Sequence, residues 1–104
     1  MLTTERITID CNEYDLEIDG SVAILRDAPM DLTIPDRWAN LFNEEEGRRF
    51  VGLYFFGEFF RVEQDGPDWH LSRKSGPISV HHVLGAIRVN FDAIIDLGWE
   101  ALKP

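Results

Sequence analysis

The densest apolar stretch of this chain is FVGLYFFGEFFRV, residues 50–62. Gly57 followed by Glu58 predicts a type II′ turn and therefore a β-hairpin, because glycine readily adopts the positive φ of the first central position. This turn would place Phe56 opposite Phe59. Side chains alternate between the two faces of a strand, so one face of the hairpin is wholly apolar and is expected in the core. Its members are Val51, Leu53, Phe55, Phe60 and Val62.

The other face of the same hairpin is aromatic but also carries charge, and two interpretations of it stay open. A strand pair that is apolar on both sides must be covered on both sides, and a short helix could cover this one. Alternatively, Tyr54, Phe56, Phe59 and Arg61 lie at the surface as an anchor cluster. Aromatic residues with arginine are typical of binding hot spots.

An earlier hairpin is predicted over residues 14–25. Apolar and acidic residues alternate over 14–18, Asp19-Gly20 can form a tight turn, and residues 21–25 provide a mainly apolar second strand. In the predicted register Leu16 lies opposite Ala23 on the buried face.

Two further strands and two helices complete the predicted fold. Alternation predicts strands over residues 6–11 and 69–73. Pro35 suits the first turn of a helix over 35–46, and apolar residues at 3.6-residue spacing predict a second helix over 79–97. The sequence therefore predicts a single α+β domain over residues 1–104. It would contain an antiparallel sheet of four to six strands built from hairpins, a short middle helix, and a longer C-terminal helix packed on the sheet.

Length and composition are those of a small globular protein. The chain has 104 residues and 44% hydrophobic content, and no apolar run approaches the roughly 18 residues that cross a bilayer. The single cysteine, Cys11, cannot form an internal disulfide, which fits a reducing compartment. A cytoplasmic location is expected.

The formal net charge of −9 is distributed unevenly along the chain. Residues 1–46 carry twelve acids and three arginines, whereas acids and bases balance over residues 47–104. An acidic surface repels nucleic-acid phosphates and anionic membranes and attracts basic proteins. The charge therefore predicts a larger basic protein as partner, with neither nucleic acid nor membrane bound directly.

No motif in the sequence specifies catalytic chemistry. Zinc needs three or four converging ligands, and His70, His81, His82 and Cys11 show no paired ligand spacing. Neither a nucleophile elbow nor a phosphate-binding glycine loop occurs. No metal or cofactor is expected, and an enzyme with a site near His70 is the third hypothesis.

The first functional hypothesis is a small, acidic, non-enzymatic binding protein that inhibits a larger, basic, nucleic-acid-handling protein. In size and charge the chain is similar to phage-encoded inhibitors of host defence and to immunity proteins. The alternative is a homo-oligomeric structural or accessory subunit that pairs through the aromatic strand face. The predicted partner-binding residues are Asp15, Glu17, Asp19, Glu44, Glu45, Glu46, Tyr54, Phe56, Phe59 and Arg61.

Overall fold

The structure, a computed structural model, describes residues 2–28, 43–88 and 94–95. The main element of this part of the chain is one antiparallel sheet, with one short helix. The strands are β1 (Leu2–Ile9), β2 (Asn12–Asp19), β3 (Val22–Leu25), β4 (Asn43–Glu45), β5 (Arg48–Phe55), β6 (Glu58–Asp65), β7 (Asp68–Arg73) and β8 (Ile94–Ile95), and the helix is α1 (Val80–Ile87).

The strand order across the sheet is β1-β2-β3-β7-β6-β5-β4, and β8 also pairs with β5. Tight turns join β1 to β2, β2 to β3, β4 to β5, β5 to β6 and β6 to β7. Strands β1 to β3 form one set of hairpins and β4 to β7 form another. β3 pairs with β7, with Val22 opposite Ser72, and so joins the two sets. The sheet is thus two meanders joined side by side.

The predicted α+β fold with a long C-terminal helix is wrong. The described helix ends at Ile87, and residues 94–95, inside the predicted helix, form a strand opposite Gly52 and Leu53. Helical spacing continues past Ile87 in the sequence, but a short run containing β-branched residues also suits a strand. Pairing with the apolar β5 decides between the two. Phe91, predicted on the buried helix face, lies outside the described residues.

The predicted middle helix over 35–46 is also wrong where the structure describes it. Residues 43–45 form β4, and Glu46 and Gly47 form a turn with φ of 52° and 79°. Glu44 and Glu45 lie opposite Arg49 and Arg48 on β5. Opposite charges across an antiparallel pair favour this hairpin, whereas the same acids at a helix C-terminus oppose the macrodipole. Residues 35–42 lie outside the described residues.

The first predicted hairpin forms, but its turn lies one residue later than predicted. Gly20, with φ of 60°, is the first central residue, so Asp19 pairs with Val22 and Leu16 with Leu25 rather than Ala23. Glycine at this position is typical of a type II′ turn. Because each partner moves by two residues, the buried face is unchanged.

The second predicted hairpin turns one residue early. Phe56 and Gly57 are the central residues, with φ of 53° and 77°, and Phe55 pairs with Glu58. Positive φ at both positions is the type I′ pattern, not the predicted II′. The partner again moves by two residues, so Leu53 pairs with Phe60 instead of the predicted Val62, and both side chains remain on the buried face.

The core lies on one face of the sheet and beneath α1. Trp69 and Phe60 are its largest fully buried side chains. From the helix, Val83 and Ala86 reach this core, so α1 packs on the core face. The Ile78 N–H donates to the Gly20 carbonyl at 2.9 Å and ties the start of the helix to the first hairpin. Other members are Ile9, Leu16, Ala23, Leu25, Ala28, Val51, Leu53, Val62, Leu71 and Ile78.

Candidate functional site

Apart from Asp19, the predicted acidic residues lie toward one end of the sheet, and the predicted aromatic residues lie at the other end. Strand register places Asp15 level with Arg26, Asp68, and the Glu45–Arg48 pair. Tyr54 lies opposite Phe59, six residues along β5 from Arg48, or about 20 Å at the usual strand rise. The two groups are therefore separate patches of the surface.

We call Tyr54, Phe56 and Phe59 the hairpin-tip aromatics. Their exposed fractions are 41%, 54% and 40%, which is high for large apolar side chains. The Tyr54 and Phe59 rings, 4.8 Å apart, lie on the face opposite the core. Phe56 turns toward α1 and stacks on His81 at 4.8 Å, with the two rings parallel within 1°. The tip thus presents two pairs of rings to solvent.

Arg61 does not belong to the exposed cluster. It is only 5% exposed, although it shares a face with Tyr54 and Phe59. Its guanidinium carbon lies 4.3 Å from the centre of the Phe50 ring, and Nη2 donates to Glu63 at 2.9 Å. Burial lowers the pKa of Arg61, and the nearby Glu63 carboxylate opposes that change. The Arg61 cation is therefore enclosed in the sheet between an aromatic ring and a carboxylate, and it is not part of the exposed hairpin-tip surface.

The face opposite the core carries a line of charged side chains across the sheet, which we call the charged row. Arg6 on β1 lies opposite Asp15 on β2, and the Arg6 Nη1 to Asp15 Oδ1 distance is 3.0 Å. Further along, Arg26 binds both Glu17 and Asp68, so one guanidinium joins β2 to β7 across β3. The row comprises Arg6, Asp15, Arg26, Asp68, Asp65, Arg48 and Glu45.

Arg26 of the charged row lowers the pKa of two carboxyl groups, of which Glu17 is a predicted binding residue and Asp68 is not. A hydrogen bond from Arg26 lowers the pKa of Glu17. Burial alone would raise the pKa of Asp68, but the Asp27 N–H and Arg26 outweigh it and the pKa is lowered. Asp15 is paired with Arg6, as given above, while Asp19 is exposed at the other end of β2. Glu17 is therefore chiefly a structural ion-pair partner.

The predicted acidic run at 44–46 is exposed on β4 and its turn. Glu44 and Glu45 lie opposite Arg49 and Arg48, and Glu46 occupies the tip of the turn. Beyond the charged row, at the same end of the sheet, lie three more exposed acidic residues, Asp10, Glu13 and Asp27. We call this end, with the charged row, the acidic end, because in the described residues its carboxylates outnumber its arginines.

The sequence did not single out the pair of histidines at the start of α1 as a functional feature. The Ser79 N–H donates to His82 Nδ1 at 3.0 Å, so His82 occupies the place that glutamate or glutamine takes in a capping box. The spacing Ser-x-x-His is the signal that could have predicted it. Burial lowers the pKa of His82, Arg73 and His81 lower it further, and Glu58 opposes them.

The structure also places the other two residues considered for a metal or catalytic site, His70 and Cys11. His70 lies opposite Ile24 and Glu63 in the middle of the sheet, and Cys11 is exposed in the β1–β2 turn. Within residues 2–28, 43–88 and 94–95, no group of three or more histidine, cysteine or acidic side chains is placed to hold a metal ion. The described helix is also too short to span a membrane.

Comparisons of the chain with protein-family models, with curated proteins and with solved structures find no match. The function proposed below therefore depends on the surfaces of the molecule alone.

Proposed function

We propose that this chain is a small, non-enzymatic binding protein whose acidic end docks on a larger, basic, nucleic-acid-handling protein and inhibits it. The role is of the anti-defence or immunity type. The observation that carries the proposal is the concentration of carboxylates from the charged row to the turns beyond it. An unbalanced charge at one end of a small protein orients it toward a partner of opposite sign and accelerates association.

The carboxylates that support docking are those outside the charged row. Glu13 is 60% exposed and lies 3.7 Å from Arg6, and Glu46 is exposed at a turn. Surface ion pairs of this kind contribute little to folding, so such carboxylates remain available to a partner. Asp15 and Glu17 are less suitable probes, because each has a closer arginine partner within the sheet.

The proposal is tested by capture and kinetics. The immobilised protein is exposed to lysate of its host at low salt, and each retained protein is identified, purified and studied for inhibition. Association with a basic, nucleic-acid-handling partner should slow as salt shortens the Debye length from about 30 Å at 0.01 M to about 8 Å at 0.15 M. The double variant Glu13→Gln, Glu46→Gln should slow association at low salt in the same way.

A matched control keeps the net charge of that variant but changes the other end. Thr3→Lys with Ser75→Lys adds the same positive charge at exposed positions away from the acidic end. The proposal requires this control to bind faster than Glu13→Gln, Glu46→Gln. Equal loss in both variants, or the absence of an inhibited basic protein among those retained, contradicts it.

The second candidate function is self-association through the hairpin-tip aromatics, and one observation favours it. The tip lies away from the acidic end, and the carboxylate of Glu58, which follows Gly57 of the turn, is bound to Arg73 at 2.6 Å. Two copies can therefore bring their tips together while the acidic ends point apart. Exposed aromatic clusters of this kind are typical of interaction surfaces.

Self-association is tested by sedimentation equilibrium over a range of concentrations. If it occurs through the tip, Tyr54→Glu should give a folded monomer, because the Tyr54 side chain is exposed on the face opposite the core. Leu2→Glu is the matched control, since Leu2 is also apolar and is 57% exposed on β1. A wild-type protein that is monomeric at every concentration excludes this second function.

A further inference from the structure

His82 holds the first turn of α1 through its unprotonated ring nitrogen. The Ser79 N–H donates to His82 Nδ1 at 3.0 Å, and the Ser79 carbonyl in turn accepts from Val83 N–H at 3.3 Å. A neutral imidazole has one donor nitrogen and one acceptor nitrogen, so the ring proton lies on Nε2. The cap therefore requires the neutral ring.

Protonation removes this acceptor, because both nitrogens of an imidazolium are donors. The Ser79 hydroxyl, whose oxygen is 3.0 Å from the same Nδ1, can accept from the new N–H. The backbone N–H of Ser79, however, then faces a donor. One of the free N–H groups at the helix N-terminus loses its partner, which loosens the first turn.

The charged groups facing His82 give the imidazolium little support. Arg73 at the end of β7 and the neighbouring His81 disfavour it, and Glu58 at the start of β6 favours it. Both Glu58 oxygens are already bound by the Arg73 guanidinium, at 2.6 and 3.0 Å. The ring also lies 5.4 Å from Phe60, which is fully buried.

The same turn of helix holds one hairpin-tip aromatic in place. Phe56 stacks on His81 and lies 6.2 Å from the His82 ring. It also packs against Gly85, where an added Cβ would come within 2.6 Å of two ring carbons. Phe56 therefore has contacts on both the first and second turns of α1 and loses them if the helix loosens.

We propose that His82 is a pH-sensitive cap: its protonation releases the first turn of α1 and separates Phe56 from the helix, which enlarges the exposed aromatic surface of the hairpin tip in mildly acidic solution. This device is independent of both functions proposed above, because its first effect is on the helix itself.

The test uses the full chain and nuclear magnetic resonance between about pH 7.5 and about pH 5, the range in which histidine changes charge. The His82 ring is expected to titrate below the ordinary value of 6.5. Hydrogen-exchange protection of the Val83 amide, corrected for intrinsic rates, should fall over the same range. The fall should reach about tenfold for each unit by which the His82 pKa lies below that value. The Gly85 Hα shift, which senses the Phe56 ring, should follow.

His82→Gln is the decisive variant, because glutamine at this position keeps a capping acceptor and does not titrate. Its Val83 protection should not change with pH. His81→Gln is the matched control and should keep the pH dependence. If His82→Gln does not fold, His82→Glu provides the same acceptor and stays ionised above about pH 5. The proposal is overturned if His82→Gln keeps the pH dependence of the wild type, or if the wild type loses no Val83 protection. A His82 ring pKa at or above 6.5 also overturns it.

Discussion

Gly85 on α1 lies against the two aromatic residues at the turn of the β5–β6 hairpin, Phe55 and Phe56. A Cβ at this position would lie 2.6 Å from two carbons of the Phe56 ring and 3.1 Å from Phe55. Glycine inside a helix costs about 1 kcal/mol relative to alanine. The close approach of Phe56 is the physical reason for glycine at this position.

We expect Gly85→Ala to give no net gain in stability, because displacing the exposed Phe56 ring from α1 offsets the gain of about 1 kcal/mol in helix propensity. In a Phe56→Ala background the same substitution should instead stabilise by up to about 1 kcal/mol. Urea unfolding of the four proteins gives both values. Equal effects in the two backgrounds would show that Phe56 does not contact Gly85 in solution.

Gly20 illustrates the opposite situation, a glycine required by the backbone and not by its neighbours. Its φ is 60°, and nothing lies within 4 Å of an added Cβ. Gly20→Val should therefore cost about 1–2 kcal/mol through backbone strain alone. Gly20→Asn should cost less, because asparagine tolerates positive φ. Thermal unfolding distinguishes the two, and a loss as large for Asn as for Val would contradict a purely conformational cost.

At the scale of elements, the charged row joins strands that are not neighbours. Arg26, directly after β3, binds Glu17 on β2 and Asp68 on β7, so its guanidinium joins two strands that are not neighbours. The Arg26 pKa is raised, first by its hydrogen bond to Glu17. The row explains why acids lie on so many strands of an acidic protein: several of them are cross-strand partners of arginine.

Acid titration tests this arrangement. The pKa values of Glu17 and Asp68 are lowered from 4.5 and 3.8 respectively. A lowered carboxyl pKa adds stability above its unfolded value, and that stability is lost as pH falls through the folded value. The wild type should therefore lose this contribution below about pH 4.5. Arg26→Gln should be less stable at neutral pH and show a shallower loss on acidification.

Arg6→Gln is the control for this prediction, because Arg6 is 59% exposed at the outer end of the same row. Exposed pairs contribute little, so its unfolding curve should remain near that of the wild type at every pH. Equal pH dependence in Arg26→Gln and the wild type would show that the Arg26 pairs are not kept in solution.

At the scale of the whole molecule, charge is segregated. The net charge is −9, and much of the excess in the described residues lies at the acidic end. Like charges held together repel in the folded state, and salt screens that repulsion. We expect the melting temperature to rise between about 0.01 M and about 0.15 M salt, and to rise less in Glu13→Gln, Glu46→Gln. Calorimetry measures both, and a melting temperature that falls with salt would show that the ion pairs outweigh the repulsion.

The alternation of apolar and polar residues determined which strand faces are buried. Leu16 and Ala23 in the first hairpin, and Leu53 and Phe60 in the second, lie in the core as predicted. This holds even though both turns were predicted one residue from their true positions. A strand has a side-chain period of two, and a shift of two residues leaves every side chain on its original face. The exposure of Tyr54, Phe56 and Phe59 was one of two alternatives that alternation left open.

Only the tertiary structure decided the state of segments whose partners are distant in sequence. Residues 94–95 are a strand because β5 offers them a pairing edge, and residues 43–45 are a strand because Arg48 and Arg49 lie opposite their acids. Arg61 is buried although its strand neighbours Tyr54 and Phe59 are exposed. The local sequence pattern shows the side-chain period of a helix or strand. The free energy of strand pairing and burial comes from contacts with distant parts of the chain, which a single sequence does not specify.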